Sequence, residues 1–290
     1  MHTYETPEAI AITVDLVLGD LRVTASDRTD TAATVLPTNA SNPADVTAAN
    51  DTRVGYVDGR LTINAPKHWK RFTPFDDDGS VQVSLEVPTG SALEATSSLG
   101  DIQIEGELGR CQVKTAMGNI RLDQSARLTL KTSFGNVDVD RVEGDADITT
   151  GSGEVRVGQV LGTAIIKNSN GATSIDDVTG DVRVKAANGN ISITRADRSI
   201  VAKTAAGSIT VGELRRGIAV LETAAGDVSC GFADGTAVSL DVRSKYGQIR
   251  SALDTSDGPA PTDEIVELRA QTSAGDITLY RTDHRAPRAS

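Results

Sequence analysis

The chain has 290 residues and a formal net charge of −11, and only 3% of its residues are aromatic. An acidic balance of that size argues against a nucleic-acid binder, because phosphate recognition needs a basic footprint. What remains is a lean core of stacked Val, Ile, Leu and Ala, in a chain long enough to fold without disulfide staples.

The opening Met1-His2-Thr3-Tyr4-Glu5 lacks the basic patch and apolar run of a signal peptide. No apolar stretch is long enough to span a bilayer, so the expectation is a soluble cytoplasmic protein with no transmembrane segment. Residues 1–88 carry loose copies of one phrase, a glycine, a polar residue and two aliphatics one residue apart. They are Gly19-Asp20-Leu21-Arg22-Val23, Gly59-Arg60-Leu61-Thr62-Ile63 and Gly79-Ser80-Val81-Gln82-Val83. A polar connection, Thr38-Asn39-Ala40-Ser41-Asn42-Pro43, lies between the first two. This region is expected to form an irregular, partly antiparallel β cap.

From residue 89 the phrase becomes regular. Gly135, Gly144, Gly153, Gly162, Gly171, Gly180 and Gly189 are spaced by nine residues without a slip. Alternate halves differ, so the unit is about eighteen residues; one half carries Lys-Thr before its glycine, as in Lys114-Thr115, Lys131-Thr132 and Lys203-Thr204. Two and four places after the main glycines stand aliphatic residues, as in Ile120 and Leu122, Val137 and Val139, Ile191 and Ile193. Period-two alternation means strands with one buried face. Neither half can bury that face alone, so successive coils must cover one another. Crossovers between parallel strands favour one hand. The predicted fold is therefore all-β, a right-handed parallel β-solenoid (β-helix) of ~18-residue coils over 89–281. Gly275-Asp276-Ile277-Thr278-Leu279 is expected to close the stack after a surface loop at Ser256-Asp257-Gly258-Pro259-Ala260-Pro261. A flexible tail, 282–290, would follow.

The Gly-Asp/Asn-Ile/Val phrases, together with Lys167-Asn168-Ser169-Asn170-Gly171, Val201-Ala202-Lys203-Thr204-Ala205-Ala206-Gly207 and Thr272-Ser273-Ala274-Gly275-Asp276-Ile277, resemble the DUF4097 family of bacterial β-strand-repeat proteins. That family is usually labelled as adhesins. The resemblance covers nearly the whole chain and implies a β-solenoid without known enzymatic activity.

Candidate sites follow from what the coils stack. Cys111 and Cys230 have no metal-ligand spacing and fall at inward positions, so they read as small buried apolar residues. Nine-residue repeats with Gly and Asp also occur in calcium-binding β-rolls, but here the residue after each main glycine varies, as in Asp101, Asn119, Glu154, Ala172 and Ser208. A stacked Asx turn bonding its local backbone is the better reading, and no metal or cofactor is expected. The acidic run Asp138, Asp140, Glu143, Asp145 and Asp147 invites a glycosidase reading. Stacking instead sets Asp138 between Arg121 and Arg156 as an exposed ion-pair ladder. Thr115, Thr132, Thr150, Thr204, Thr223 and Thr272 form an inward column whose hydroxyls need partners.

Before these threonines stands an outward basic column: Lys114, Lys131, Lys167, Lys185, Lys203 and Arg243. It is either a solvated face that discourages sheet aggregation or a track for an anionic polymer or surface or a partner's acidic face. In the segment from Lys67 to Phe75, Trp69, Arg71, Phe72 and Phe75 combine residue types common in interface anchors, and they would equally plug an open solenoid end. The function expected is a non-enzymatic interaction or scaffold protein, adhesin-like, binding a protein or an anionic polymer. Self-assembly into a filament or oligomer through the solenoid ends is the second reading, and a carbohydrate-active β-helix enzyme the third.

Overall fold

A computed structural model describes residues 1–65, 79–253 and 264–282. Contacts divide the chain into two compact units, Met1–Gly144 and Asp145–Ser290.

In Asp145–Ser290 the strands form two parallel stacks. One runs Ala146–Ser152, Ala164–Asn170, Val182–Asn188, Ile200–Ala206, Gly217–Ala225. The other runs Val155–Val160, Thr173–Val178, Ile191–Ala196, Ile209–Leu214, Val228–Phe232. Each coil gives one strand to each stack, and equivalent residues lie eighteen apart over most of the length, as Ala164↔Val182 and Thr173↔Ile191. This is the expected parallel β-solenoid. Alternation buries Ile166, Val184 and Ala202 in one stack and Ile175, Ile193 and Val211 in the other. Cys230 joins this core and Cys111 the core of the first unit, both fully buried.

Chain order and stacking order part company at the end of the unit. Gly217–Ala225 pairs with Glu264–Ala274, not with Thr236–Tyr246, which comes earlier in the chain. Thr236–Tyr246 then pairs on the far side of Glu264–Ala274, and Ile249–Ser251 on the far side of Ile277–Arg281. Among the described residues, the Gly275 phrase therefore fills the penultimate layer, and the coil holding Gly247 is the outermost. The expectation that Gly275 closes the stack is corrected: both phrases fit either layer, and only pairing tells them apart. The loop expected at 256–261 lies outside the described residues.

In Met1–Gly144 the same device appears. Ala11–Asp15 lies between Arg60–Asn64 and Ala92–Leu99, all parallel. Gly19–Ser26 likewise lies between Val81–Pro88 and Ile102–Met117. Three antiparallel pairings also occur in this unit: His2–Glu5 on Asp30–Pro37, Asp30–Pro37 on Val81–Pro88, and Arg53–Val57 on Arg60–Asn64. The polar connection leads directly into an α-helix, Pro43–Asp51, which the sequence reading did not foresee. Asn42 caps it, accepting from the Ala44 N–H at 2.9 Å, and Pro43 sits where no N–H is needed. The buried Asp45 accepts the N–H groups of Asn39 and Ser80 at 2.8 and 2.9 Å, which ties the helix to the entry of Val81–Pro88.

The motif glycines are demanded twice over. At Gly189 φ is +145°, and a Cβ there would stand 2.1 Å from the carbonyl oxygen of Gly171 one coil earlier. The Asx residues act differently from the expected local turn. Each side chain accepts the N–H of its equivalent one coil later: Asp101 from Asn119 at 2.7 Å, Asn119 from Asn136 at 3.0 Å, and Asn190 from Ser208 at 2.9 Å. The column staples coils together.

Candidate functional site

Three strands of the second unit assemble a basic face. Ala164–Asn170, Val182–Asn188 and Ile200–Ala206 pair in register, so Lys167 neighbours Lys185 and Lys185 neighbours Lys203. The core positions on either side turn these lysines outward. Lys167 and Lys185 are exposed; Lys203 is half-buried, its Nζ 2.6 Å from Glu222 Oε2. Arg183 stands two residues before Lys185 and adds a fourth cation, itself exposed. The sequence reading passed it over because its column holds Ile165 and Val201 in the adjoining coils, so no repeat marks it. Beyond the lysines lie Ser169, Ala187 and Ala205, all exposed, small and uncharged, which leaves the face flat.

Register also breaks the expected basic run. Thr149 precedes Lys167, while Glu222, Gln271 and Arg243 follow Lys203 in that order. Arg243 is thus separated from Lys203, the last lysine of the column, by two intervening layers, and it pairs with Asp241 at 3.2 Å. In the first unit, Lys114 and Lys131 are register neighbours and both exposed. Close by runs a stripe that the sequence reading did not notice: Leu99, Met117 and Phe134 stack in register and are 46%, 50% and 56% exposed. Their signal is an apolar residue just before the motif glycine, where alternation cannot assign a face.

Trp69, Arg71, Phe72 and Phe75 lie outside the described residues. Three residues of the acidic run have a neighbour or partner along the stack, while Arg156 pairs with Glu154 at 2.8 Å. Asp138 neighbours Arg121 in register, Glu143 bonds Arg141 at 2.6 Å, and Asp145 accepts the Thr163 N–H at 3.0 Å. Thr204, Thr223 and Thr272 of the inward column donate to the carbonyls of Gly189, Gly207 and Gly226, one layer away, at 3.2, 2.8 and 2.9 Å. Asn168 takes the same place in its coil and reaches both Gly153 and Gly171 carbonyls, at 3.1 and 3.0 Å.

A cleft of about 390 Å³ opens beside Glu213, Arg215, Arg216 and Asp234. Its buried acid, Glu213, lies 3.3 Å from Arg215 and 4.0 Å from Arg195, and Asp197 is 3.6 Å from Arg215. These charges form a chain of ion pairs along the coil corner. Burial alone pushes the Cys111 thiol up to about 12 and the Cys230 thiol higher still, so neither is a ready nucleophile. Among the described residues, no helix is long and apolar enough to cross a membrane.

Comparison with solved structures finds low-identity matches along the full length. A "putative adhesin" from Bacteroides fragilis NCTC 9343 is 13% identical, covering 97% of this chain and 95% of its own, with a TM-score of 0.31. A "putative lipid binding protein" from Parabacteroides distasonis ATCC 8503 is 12% identical, covering 97% and 96%, with a TM-score of 0.35. A "putative cell adhesion protein" from Clostridium sporogenes ATCC 15579 is 10% identical, covering 97% and 98%, with a TM-score of 0.24. No curated protein matches. The family model described as Toastrack DUF4097 matches residues 8–280, nearly all of both units, and the chain belongs to that family.

Proposed function

We propose that this is a non-enzymatic interaction or scaffold protein, adhesin-like in its mode of action, which binds an anionic polymer or an acidic partner surface. The binding element is the flat face bearing Lys167, Arg183, Lys185 and Lys203. One observation carries the reading. Three lysines sit in register on adjacent parallel strands, at a spacing of ~4.8 Å. Like charges so placed destabilise a sheet, and among the described residues only Lys203 of the three has a carboxylate partner, Glu222. A polyanion laid along the face removes the repulsion and gains contacts with all four cations. The net charge of −11 repels anions at long range, so the attraction is local and screened by salt.

The test is retention on an immobilised acidic polysaccharide at two salt concentrations, for the parent and for Lys167→Gln/Lys185→Gln/Lys203→Gln. The parent is retained at low salt and released at high salt, and the triple variant passes through at both. A parent that is not retained at low salt, or a variant retained equally, removes the proposal.

A further inference from the structure

We infer that the outermost coil of the second unit, Thr236–Tyr246 with Ile249–Ser251, is a dimerisation edge that pairs antiparallel with the same coil of a second copy of this chain. The inference is independent of the basic face and stands or falls separately.

The edge is unfinished. Thr236–Tyr246 pairs along one side only, with Glu264–Ala274, and Ile249–Ser251 pairs only with Ile277–Arg281, among the described residues. Core positions show the same thing. Leu268 and Ile277 are fully buried, yet their register partners Leu240 and Ile249 are 41% and 46% exposed. In the first unit, by contrast, the last parallel strands are covered by antiparallel ones. Arg53–Val57 lies on Arg60–Asn64, and Asp30–Pro37 on Val81–Pro88. An eleven-residue edge without proline or bulge is a template for another strand.

The sequence of this edge suits its own copy. Register places Val238, Leu240 and Val242 on the core side and Ser239, Asp241, Arg243 and Lys245 on the outside. The Tyr246 carbonyl accepts the Gly275 N–H at 3.0 Å, so alternation aims the free backbone groups of Asp241 and Arg243 at the open edge. A twofold axis through Val242 sets each Asp241 opposite Arg243 of the second copy, and their backbones exchange both hydrogen bonds. Core faces then meet core faces, with Ser239 opposite Lys245 and no like charges opposed. Moving the axis one residue either way places Asp241 against Asp241, or Arg243 against Arg243. Charge pattern, core parity and backbone direction thus agree on one antiparallel register. A twofold contact is self-closing and ends at two copies.

The full chain is followed by sedimentation and light scattering over a concentration series, with three variants. The parent shows a monomer–dimer equilibrium and no growth beyond the dimer. Arg243→Asp sets acid against acid and weakens the dimer roughly tenfold or more. The exchange variant Asp241→Arg/Arg243→Asp restores it, which a general loss of folding would not do. Val242→Cys, on the axis, cross-links to itself under mild oxidation, since facing non-hydrogen-bonded residues stand at about 4.5 Å, within disulfide range. The native cysteines are fully buried and leave that readout clean. A parent that stays monomeric, assembles beyond two copies, or is not rescued by the charge exchange overturns the inference.

Discussion

At Gly189 the backbone conformation and the neighbouring coil make the same demand. φ is +145°, and the oxygen of Gly171 stands where a Cβ would go. Gly189's own carbonyl then accepts the Thr204 hydroxyl. Strain and collision add, so Gly189→Val loses ~2 kcal/mol or more of stability in denaturant unfolding. A variant as stable as the parent would show that the column is not packed backbone to backbone. The buried thiols make a second claim at this scale. Desolvation raises the Cys111 thiol from 9.0 to about 12, and Cys230 shifts the same way. In the unfolded chain both ionise near 9, while in the folded protein they keep their protons. The unfolded state therefore binds fewer protons above that pH, and stability falls as pH rises from about 9 toward 12. The slope is on the order of 1 kcal/mol per pH unit for each thiol. Cys111→Ala/Cys230→Ala should remove this part of the decline, read as the difference between parent and variant across that range. Parallel declines would contradict the burial.

At the scale of elements, each unit tucks a terminal stretch of chain between two layers. Glu264–Ala274 is hydrogen-bonded on both sides although it comes near the C-terminus, while Thr236–Tyr246, earlier in the chain, is the outer edge. Hydrogen exchange is expected to follow stacking order. At protein concentrations where the chain is monomeric, amides of Glu264–Ala274 exchange more slowly than those of Thr236–Tyr246. The reverse ranking would refute the layer exchange. Strands and their faces could be read from the sequence because the eighteen-residue repeat writes inward residues into columns, and Ile191, Ile193 and the threonines fell where expected. Layer order could not, since Gly247 and Gly275 open equivalent coils and only hydrogen bonding ranks them. The helix Pro43–Asp51 was missed for another reason. Asn42 and Pro43 do signal its start, but no apolar stripe runs through Ala44-Asp45-Val46-Thr47-Ala48, and what ties it down is the distant Ser80 N–H. The reach of Asp101 to Asn119 was likewise invisible, because a side chain one position after a glycine can serve its own turn or the next coil.

At the scale of the molecule, an acidic chain carries a local patch of stacked cations. The sequence disclosed Lys167, Lys185 and Lys203 as a column. It hid Arg183, which belongs to no column, and it joined Arg243 to a run that Glu222 and Gln271 interrupt. The account rests on these lysines being kept at a cost to stability for the sake of binding, and thermal unfolding at low salt, with and without an acidic polysaccharide, tests that directly. Without polymer, Lys167→Gln/Lys185→Gln/Lys203→Gln should melt at or slightly above the parent, as repulsion is relieved. With polymer, the parent's melting temperature should rise, because a ligand bound to the folded state stabilises it, and the variant's should not. Equal shifts in both proteins, or no shift in either, would contradict the account.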